Sequence, residues 1–528
     1  MEKVRKNFII VGPFAILLCV LIWKFDLFAT GGNVYKQIER YMEVLKLVDK
    51  LYVEEVDSEK LVNGAINGML QELDPHTVFI SKERFAEISE QFEGEFEGIG
   101  VEFVVNNKVP TIVTAITGSP SDRLGLRPGD KIIEIEGVST YGITDQGVRA
   151  KLLGPKGTQV TITVQRPGLK EPFEVLITRD KIPIFSVTTS FMIDDETGFI
   201  KVGRFAKTTE SEFEAALQKL ETQNMKQLIL DLRGNSGGYL DQAVGMADKF
   251  LDDGKRIVYT RGRIPNANDD YYATEAMHTK IPLIVLIDHG SASASEIVAG
   301  AIQDWDRGLI VGVTSFGKGL VQQQVPLKDG GALRVTTARY YTPSGRLIQR
   351  SYKDGIQEYM TQGWDDDDPN AHEDSAGVKP VFSTSNGRKV YGGGGISPDI
   401  VIKPFRPTAT TVHLIQEQIF LQYGSEYATQ HPALKRNFNR YKTSFEVGEN
   451  MVSSLTQLAK SKNVRIDESE IARDLSFIRR RIKSQVARHL WGADEFYQIE
   501  FSEDSQVQHA LEQISQAAKI AGLSIEDM

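Results

Sequence analysis

The 528-residue sequence contains a single cysteine, Cys19. This excludes an intramolecular disulfide and a zinc site built from cysteines. Basic residues are in the minority, with 61 Lys and Arg against 71 Asp and Glu and a formal charge of −10. No basic patch dominates, so a nucleic-acid partner is not expected. Long apolar runs are scarce too. The one extended run, Phe8 to Trp23, follows Lys3, Arg5 and Lys6. That pattern predicts a secretory signal or a short anchor. The run is short for a full span, although Phe25, Leu27 and Phe28 lengthen it. No small-x-small cleavage site precedes Gly31, which favours an uncleaved anchor. The basic flank then leaves the rest of the chain outside the cytoplasm. The acidic run Asp365 to Asp368 fits no calcium-loop spacing and reads as a solvated insertion. No metal and no cofactor is expected.

What is present is ample core material, 41% hydrophobic residues, over a length that suggests several domains. The most informative stretch runs from Leu283 to Ile302. Leu283 to Ile287 is a short apolar run, the signal of a buried strand. It passes through Gly290-Ser-Ala-Ser-Ala-Ser-Glu296 into a helix with Ile297, Val298, Ala301, Ile302 and Trp305 on its apolar face. A serine at such a turn is held out of the sheet with backbone N–H groups beside it. Those are the requirements of an acyl-transfer nucleophile. A base is offered by Lys318, between two glycines and flanked by Ile310, Val311, Val313 and Val321. Desolvation disfavours an ammonium, and only a neutral amine can accept the serine proton. Gln322 is placed to orient that amine. Singly, each motif also has a plain reading: a close-packed turn, and a surface lysine.

Together, Gly290–Glu296 and Phe316-Gly-Lys-Gly-Leu-Val-Gln322 resemble the signature of the C-terminal processing peptidases, or tail-specific proteases, which use a serine–lysine pair. The resemblance runs from about Asn33 to Ile402. It implies Ser293 as nucleophile, Lys318 as base and Gln322 as orienting group. It also implies an oxyanion hole from the N–H of Ala294 and from the loop Arg233-Gly-Asn-Ser-Gly-Gly238, with Gly237 and Gly238 both candidates. The fold implied is a mixed α/β protease core of the crotonase and Clp type, carrying an inserted PDZ-like β domain and helical N- and C-terminal regions. Leu73-Asp-Pro-His-Thr77 resembles a further family motif. His76, like His289, is then not the base.

The predicted organisation is a signal or anchor over 1–28, a helical segment over 33–92, and a PDZ domain over 93–183. The protease core follows over 184–405, with an insertion at about 351–390, and a helical region over 406–528. The N-terminal segment shows two apolar faces, one over Ile38 to Val48 and one with Val62, Ile66, Met69 and Leu70. In the PDZ-like region, Gly98-Ile99-Gly100-Val101 is the candidate carboxylate loop, and Val148 and Leu152 are apolar groove positions. Helices are expected over Ser119–Gly129 and Thr144–Leu153. Many relatives carry a basic residue just before Gly154; here it is Leu153. In the core, Ser211 and Glu214 suggest a capping box. In the tail, Asp467 and Glu470 suggest the start of one helix through Ile471, Leu475, Ile478, Ile482 and Val486, ending near Gly492. A second stripe is Val507, Ala510, Leu511, Ile514 and Ala517. Such stripes pack on the core or form a homo-oligomer interface.

The function expected is a serine endopeptidase of the bacterial cell envelope, on the periplasmic side. Its substrates would be proteins selected through their free C-termini, with an adaptor or activator protein as a further partner. The competing readings are a non-catalytic PDZ scaffold and an acyl-CoA enzyme of the crotonase type. Intact Ser293, Lys318 and Gln322 disfavour the first, and the PDZ-like region disfavours the second.

Overall fold

The fold is taken from a computed structural model, which describes residues 34–106, 108–274, 280–353, 355–361, 373–374 and 377–523. The expected signal or anchor at 1–28 and the acidic run Asp365–Asp368 lie outside these residues. Among the described residues, no helix is long and apolar enough to cross a membrane. The chain divides into two units, 1–79 and 80–528.

In the first unit, residues 34–51 and Ser58–Gln71 are helical. Their apolar faces are largely open: Ile38, Tyr41, Met42, Val44, Leu47 and Met69 are exposed, and of the second face only Leu70 is buried.

The second unit is built on a six-stranded sheet. Its strands in spatial order are β1 (Val187–Met192), β2 (Thr197–Val202), β3 (Gln227–Asp231), β4 (Leu283–Ile287), β5 (Leu309–Gly312) and β6 (Ile400–Val401). β1 is antiparallel to β2; every later neighbour is parallel. Helices α1 (Thr209–Glu221), α2 (Leu240–Asp248) and α3 (Ala294–Asp304) connect successive parallel strands. They pack on one face with Ile200, Leu228, Leu230, Val285, Ile287 and Ile310. The alternate residues Phe199, Ile229, Ile284, Leu286 and Val311 face the other way, against Val507, Ala510, Ile514 and Ala517. Both faces are covered, so these strands read as unbroken apolar runs rather than alternating ones.

The PDZ-like domain leaves and rejoins the core through paired segments, Glu95–Gly98 against Asp180–Pro183. Its sheet is ordered Val101–Asn106, Val109–Ala115, Lys131–Ile135, Gln159–Gln165, Phe173–Thr178, with Val101–Asn106 as an edge strand. Its groove helix is Asp145–Leu152, capped by Thr144. The other helix is a single turn, Pro120–Arg123, shorter than expected because Gly125, directly after its C-cap Leu124, takes positive φ and ends it.

Three further expectations are corrected. The helix α1 starts at Thr209, ahead of Ser211, so Ser211 and Glu214 form no capping box; Glu212 instead accepts from Thr208 Oγ1 and from the Ser186 and Val187 N–H groups. The tail helix expected from Asp467 is two helices, Glu468–Arg473 and Leu475–Leu490. The break is at buried Asp474, whose carboxylate accepts from Thr408 N–H and Oγ1 at 2.7 and 2.8 Å. The second stripe is likewise two helices, Ser505–Leu511 and Ile514–Ile520, and they pack on the core sheet. The described part of the insertion is tied down as well: Arg388 pairs with Asp306 and Asp399 at 2.5 Å each.

Candidate active site

The site forms where β4 ends and α3 begins. Ser293 is the N-cap of α3 with φ 56° and ψ −112°. A non-glycine residue there is strained by roughly 1–3 kcal/mol, the kind of cost found where a side chain must be aimed. The three serines of the turn divide the work. Ser291 Oγ donates to Leu232 O at 2.9 Å, and Ser295 Oγ donates to Asn235 O at 2.8 Å. Both outer serines are fully buried and spend their hydroxyls on the loop after β3. Ser293, between them, is half-buried rather than buried.

The turn is held by a residue that sequence reasoning left without a role. Glu296 is buried, and its carboxylate collects four donors. Oε2 accepts from Ser293 N–H at 2.8 Å and Lys318 N–H at 2.9 Å. Oε1 accepts from Ser315 Oγ at 2.5 Å and Gly317 N–H at 2.7 Å. One carboxylate oxygen therefore joins the main chain of Ser293 to that of Lys318. Burial pushes the Glu296 carboxyl upward, against the pull of its donors. The signal was present as Ser-x-x-Glu ahead of an apolar helix, the capping-box spacing assigned instead to Ser211. Phe316 N–H adds a further tie, to Ser291 O at 2.9 Å. From behind, fully buried Tyr340 donates its hydroxyl to Ser293 O at 3.1 Å.

Lys318, half-buried, donates from Nζ to Gln322 Oε1 at 2.8 Å. Gln322 stands in the strand Leu320–Pro326, at a register shift against Ala332–Tyr341. The structure thus joins these two residues by a hydrogen bond.

The two candidate glycines differ. Gly237 lies against the turn, where an added Cβ would meet Ala292 O at 2.7 Å and Ser293 Cβ at 2.8 Å. Its N–H is already taken by Asn235 Oδ1 at 2.9 Å. Gly238 forms a parallel bridge with Phe205, through Phe205 N–H to Gly237 O and Tyr239 N–H to Phe205 O. That pattern leaves the Gly238 N–H outside the bridge. Neither it nor the Ala294 N–H, on the first residue of α3, has an acceptor among the described residues. The loop is anchored at its start by Arg233, which pairs with Asp231 at 2.7 Å and with Asp504 of the tail at 3.0 Å. It also donates to Gln506 Oε1 at 2.8 Å. Burial works against the Asp231 carboxylate, but Arg233 and Lys201 outweigh it and hold the group at about 2. Asp288 completes the frame, accepting from Gly234 and Gly290 N–H at 2.7 and 2.9 Å.

Of the two histidines, His289 is half-buried in the turn before Gly290, and His76 sits in a turn closed by Asp74 Oδ1, which accepts from the His76 and Thr77 N–H groups.

In the PDZ-like domain, Gly98 pairs with Asp180, and Val101 opens the edge strand. The N–H groups of Ile99 and Gly100 have no acceptor among the described residues, while their carbonyls accept from Ser121 and Ile116 N–H. Gly100 is required, because an added Cβ would lie 2.2 Å from Ser119 Cβ. Ile99, Val148 and Leu152, at 2%, 0% and 4% exposure, belong to the domain core. Val148 and Leu152 are therefore packed beneath the groove rather than open on it. No basic residue precedes Gly154, but Arg179 covers it from a neighbouring segment. Its Nε donates to Leu152 O at 3.1 Å and its Nη2 to Lys151 O at 2.8 Å, at the C-terminal end of the groove helix.

Residues 196–359 match the model of peptidase family S41, and 111–166 that of the PDZ domain. Residues 28–84 match the activating protease CtpB N-terminal domain, and 411–492 match a family of unknown function. The chain is 41% identical over 322 residues to the carboxy-terminal-processing protease of Bartonella bacilliformis, covering 60% of this chain and 74% of that one. It is 36% identical over 326 residues to the carboxy-terminal processing protease CtpB of Bacillus subtilis, covering 61% and 67%. The solved photosystem II D1 C-terminal processing protease is 27% identical and covers 69% of this chain and 92% of its own, with a TM-score of 0.35. With the α/β core, the PDZ-like domain and the serine turn in place, the chain belongs to the carboxy-terminal processing proteases, serine peptidases of family S41.

Proposed function

We propose that the chain is an endopeptidase that cleaves proteins near their C-termini with Ser293 and Lys318, in the cell envelope. The observation that carries the catalytic reading is the shared carboxylate: Glu296 Oε2 binds the main chains of both residues, and Gln322 holds the amine. Neutral Lys318 takes the proton from Ser293 Oγ as the oxygen bonds to the scissile carbonyl carbon. The resulting oxyanion receives hydrogen bonds from the Ala294 and Gly238 N–H groups, the two donors without another acceptor. Collapse breaks the C–N bond, and the departing amine takes its proton from the Lys318 ammonium. Water then hydrolyses the ester on Ser293, with Lys318 again accepting the proton.

The PDZ-like domain selects the substrate's free C-terminus. The Ile99 and Gly100 N–H groups receive the terminal carboxylate, and the tail adds as a strand along Val101–Asn106. With Val148 and Leu152 under the groove, an apolar last residue would be seated by a small parting of the groove helix from the edge strand. The envelope location rests on the basic start and apolar run at 1–28.

The test is hydrolysis of an unstructured protein and of short peptides, each as free acid and as C-terminal amide, well below saturation. Amidation is expected to reduce cleavage clearly, since hydrogen bonds to a charged group contribute roughly 1.5–3 kcal/mol. Equal rates would reject selection by the C-terminus. Turnover that persists in Ser293→Ala would reject the nucleophile.

A further inference from the structure

The insertion at about 351–390 opens with the helix Ile356–Thr361, and one side chain seats it. Over Ile356–Met360 only Tyr359 is buried, at 1% exposure, while Ile356 and Met360 are 49% and 50% exposed. A tyrosine that goes under while its apolar neighbours stay in water is held by a particular contact, not by an amphipathic face.

That contact is with the loop that carries Lys318. The Tyr359 ring meets Phe316 edge-on, with centroids 5.3 Å apart and planes at 85°. The Arg350 guanidinium lies 5.3 Å over the same Phe316 ring. Gln349 ties these parts together by hydrogen bonds. Its Oε1 accepts from Gly319 N–H at 2.9 Å. Its Nε2 donates to Arg350 O at 2.8 Å and to Tyr359 Oη at 3.3 Å. Arg350 N–H donates to Gly317 O at 2.9 Å. The approach is close: an added Cβ on Gly317 would lie 3.0 Å from Arg350 Cβ, and one on Gly319 2.9 Å from Gln349 N.

Glu296 fixes this loop through the Gly317 and Lys318 N–H groups. The Phe316 ring and the Gly319 N–H are held instead by Gln349, Arg350 and Tyr359. Two glycines leave a loop free to adopt many conformations, so the lysine between them is aimed only if both sides are fixed. Catalytic groups misplaced by about 1 Å can lose 10²-fold in rate.

We infer that Tyr359 is a positioning residue for Lys318: seated against Phe316 and Gln349, it fixes the glycine-flanked loop that presents the amine to Ser293. The start of the insertion is thereby part of the catalytic apparatus. This rests on Lys318 being the base, and the experiment separates the two ideas. The full chain and its Tyr359→Ala, Tyr359→Phe and Lys318→Ala variants are assayed on one free-acid peptide over a range of pH, beside a thermal melt. Tyr359→Leu, which fills space but offers no ring edge, is run with them and stands in for alanine where that variant does not fold.

Tyr359→Ala should lose on the order of 10²-fold in kcat with KM little changed. Its acid limb should also move up by about one pH unit, because looser packing lets water reach the Lys318 amine and favours the charged form. Glu296 and Arg350, which contact this loop, are unchanged in every variant, so the shift reports solvent and not a lost charge. An unfolded fraction lowers kcat by the same factor at every pH and leaves the limb in place. Tyr359→Phe keeps the ring edge and should keep most of its kcat. An unchanged kcat in Tyr359→Ala, a fall with the acid limb in place, or a Tyr359→Phe as impaired as Tyr359→Ala overturns the positioning role alone. Substantial hydrolysis by Lys318→Ala removes the base, and the positioning role with it.

Discussion

At the scale of single residues, Glu296 is the group on which the site's geometry depends. Replacing it by Gln keeps the shape but turns one acceptor oxygen into a donor, facing N–H groups that also donate. The turn at Ser293 and the Lys318 loop would then lose their common anchor. Glu296→Gln should lower kcat on the order of 10²-fold, as misplacing catalytic groups by about 1 Å can do. The check is peptide hydrolysis beside a thermal melt, and an unchanged kcat would mean that Glu296 only fills space. Gly238→Ala is a second test. A Cβ there would lie 2.0 Å from Phe205 O, so the loop must move and take its N–H with it. The variant should lose most of its kcat, and retention of it would remove Gly238 from the oxyanion hole. Much at this scale was legible: small residues around Ser293 and glycines around Lys318 mark positions where main chains approach closely. The choice between Gly237 and Gly238 was not, because it turns on a side chain two residues away, Asn235, taking one N–H.

Among elements, strands β3 and β4 announced themselves as short apolar runs, whereas helix ends were less legible. Ser211 and Ser293 both stand three residues ahead of a glutamate, and only the second serine is an N-cap. Spacing alone does not say where the chain leaves the sheet. The break at Asp474 was equally hidden, since its partner Thr408 is distant in sequence. The same holds for the tail's grip on the oxyanion loop through Asp504 and Arg233. Asp504 also caps its own helix, accepting from Val507 N–H at 3.1 Å. Asp504→Asn preserves that cap and removes only the charge. It should lower the unfolding free energy by about 1–2 kcal/mol, read from a urea midpoint. The pH dependence has a defined sign. Asp231 is held at about 2, below its ordinary value of 3.8, so its contribution is complete above pH 4 and lost as pH falls through 2. That contribution is on the order of 2 kcal/mol. Asp231→Asn should remove this limb from the acid unfolding curve, and an unaltered curve would contradict the assignment.

For the whole second unit, the helical tail is structural cover for the core rather than an appendage. Phe199, Ile229, Ile284, Leu286 and Val311 are buried beneath the two last helices. Ending the chain at residue 405 would expose that face, and the fragment should aggregate or fail to unfold cooperatively. A soluble monomeric fragment with a sharp melt, seen by sedimentation and calorimetry, would contradict this. The tail also meets the PDZ-like domain, where an added Cβ on Gly129 would lie 2.4 Å from Ser425 Oγ and one on Gly168 3.5 Å from Thr429 Cγ2. These contacts could not be read in sequence, because the helical stripes state that a face is apolar and not what covers it.

The most direct measurement is the kcat/KM of Ser293→Ala, Lys318→Ala and the double variant on one free-acid peptide, with folding verified by melting. Groups that act as one unit fail together, so all three should fall to the same residual level, with the double variant little worse than either single one. Substantial hydrolysis by Lys318→Ala would contradict the serine–lysine pair and return the role of base to His289 or His76.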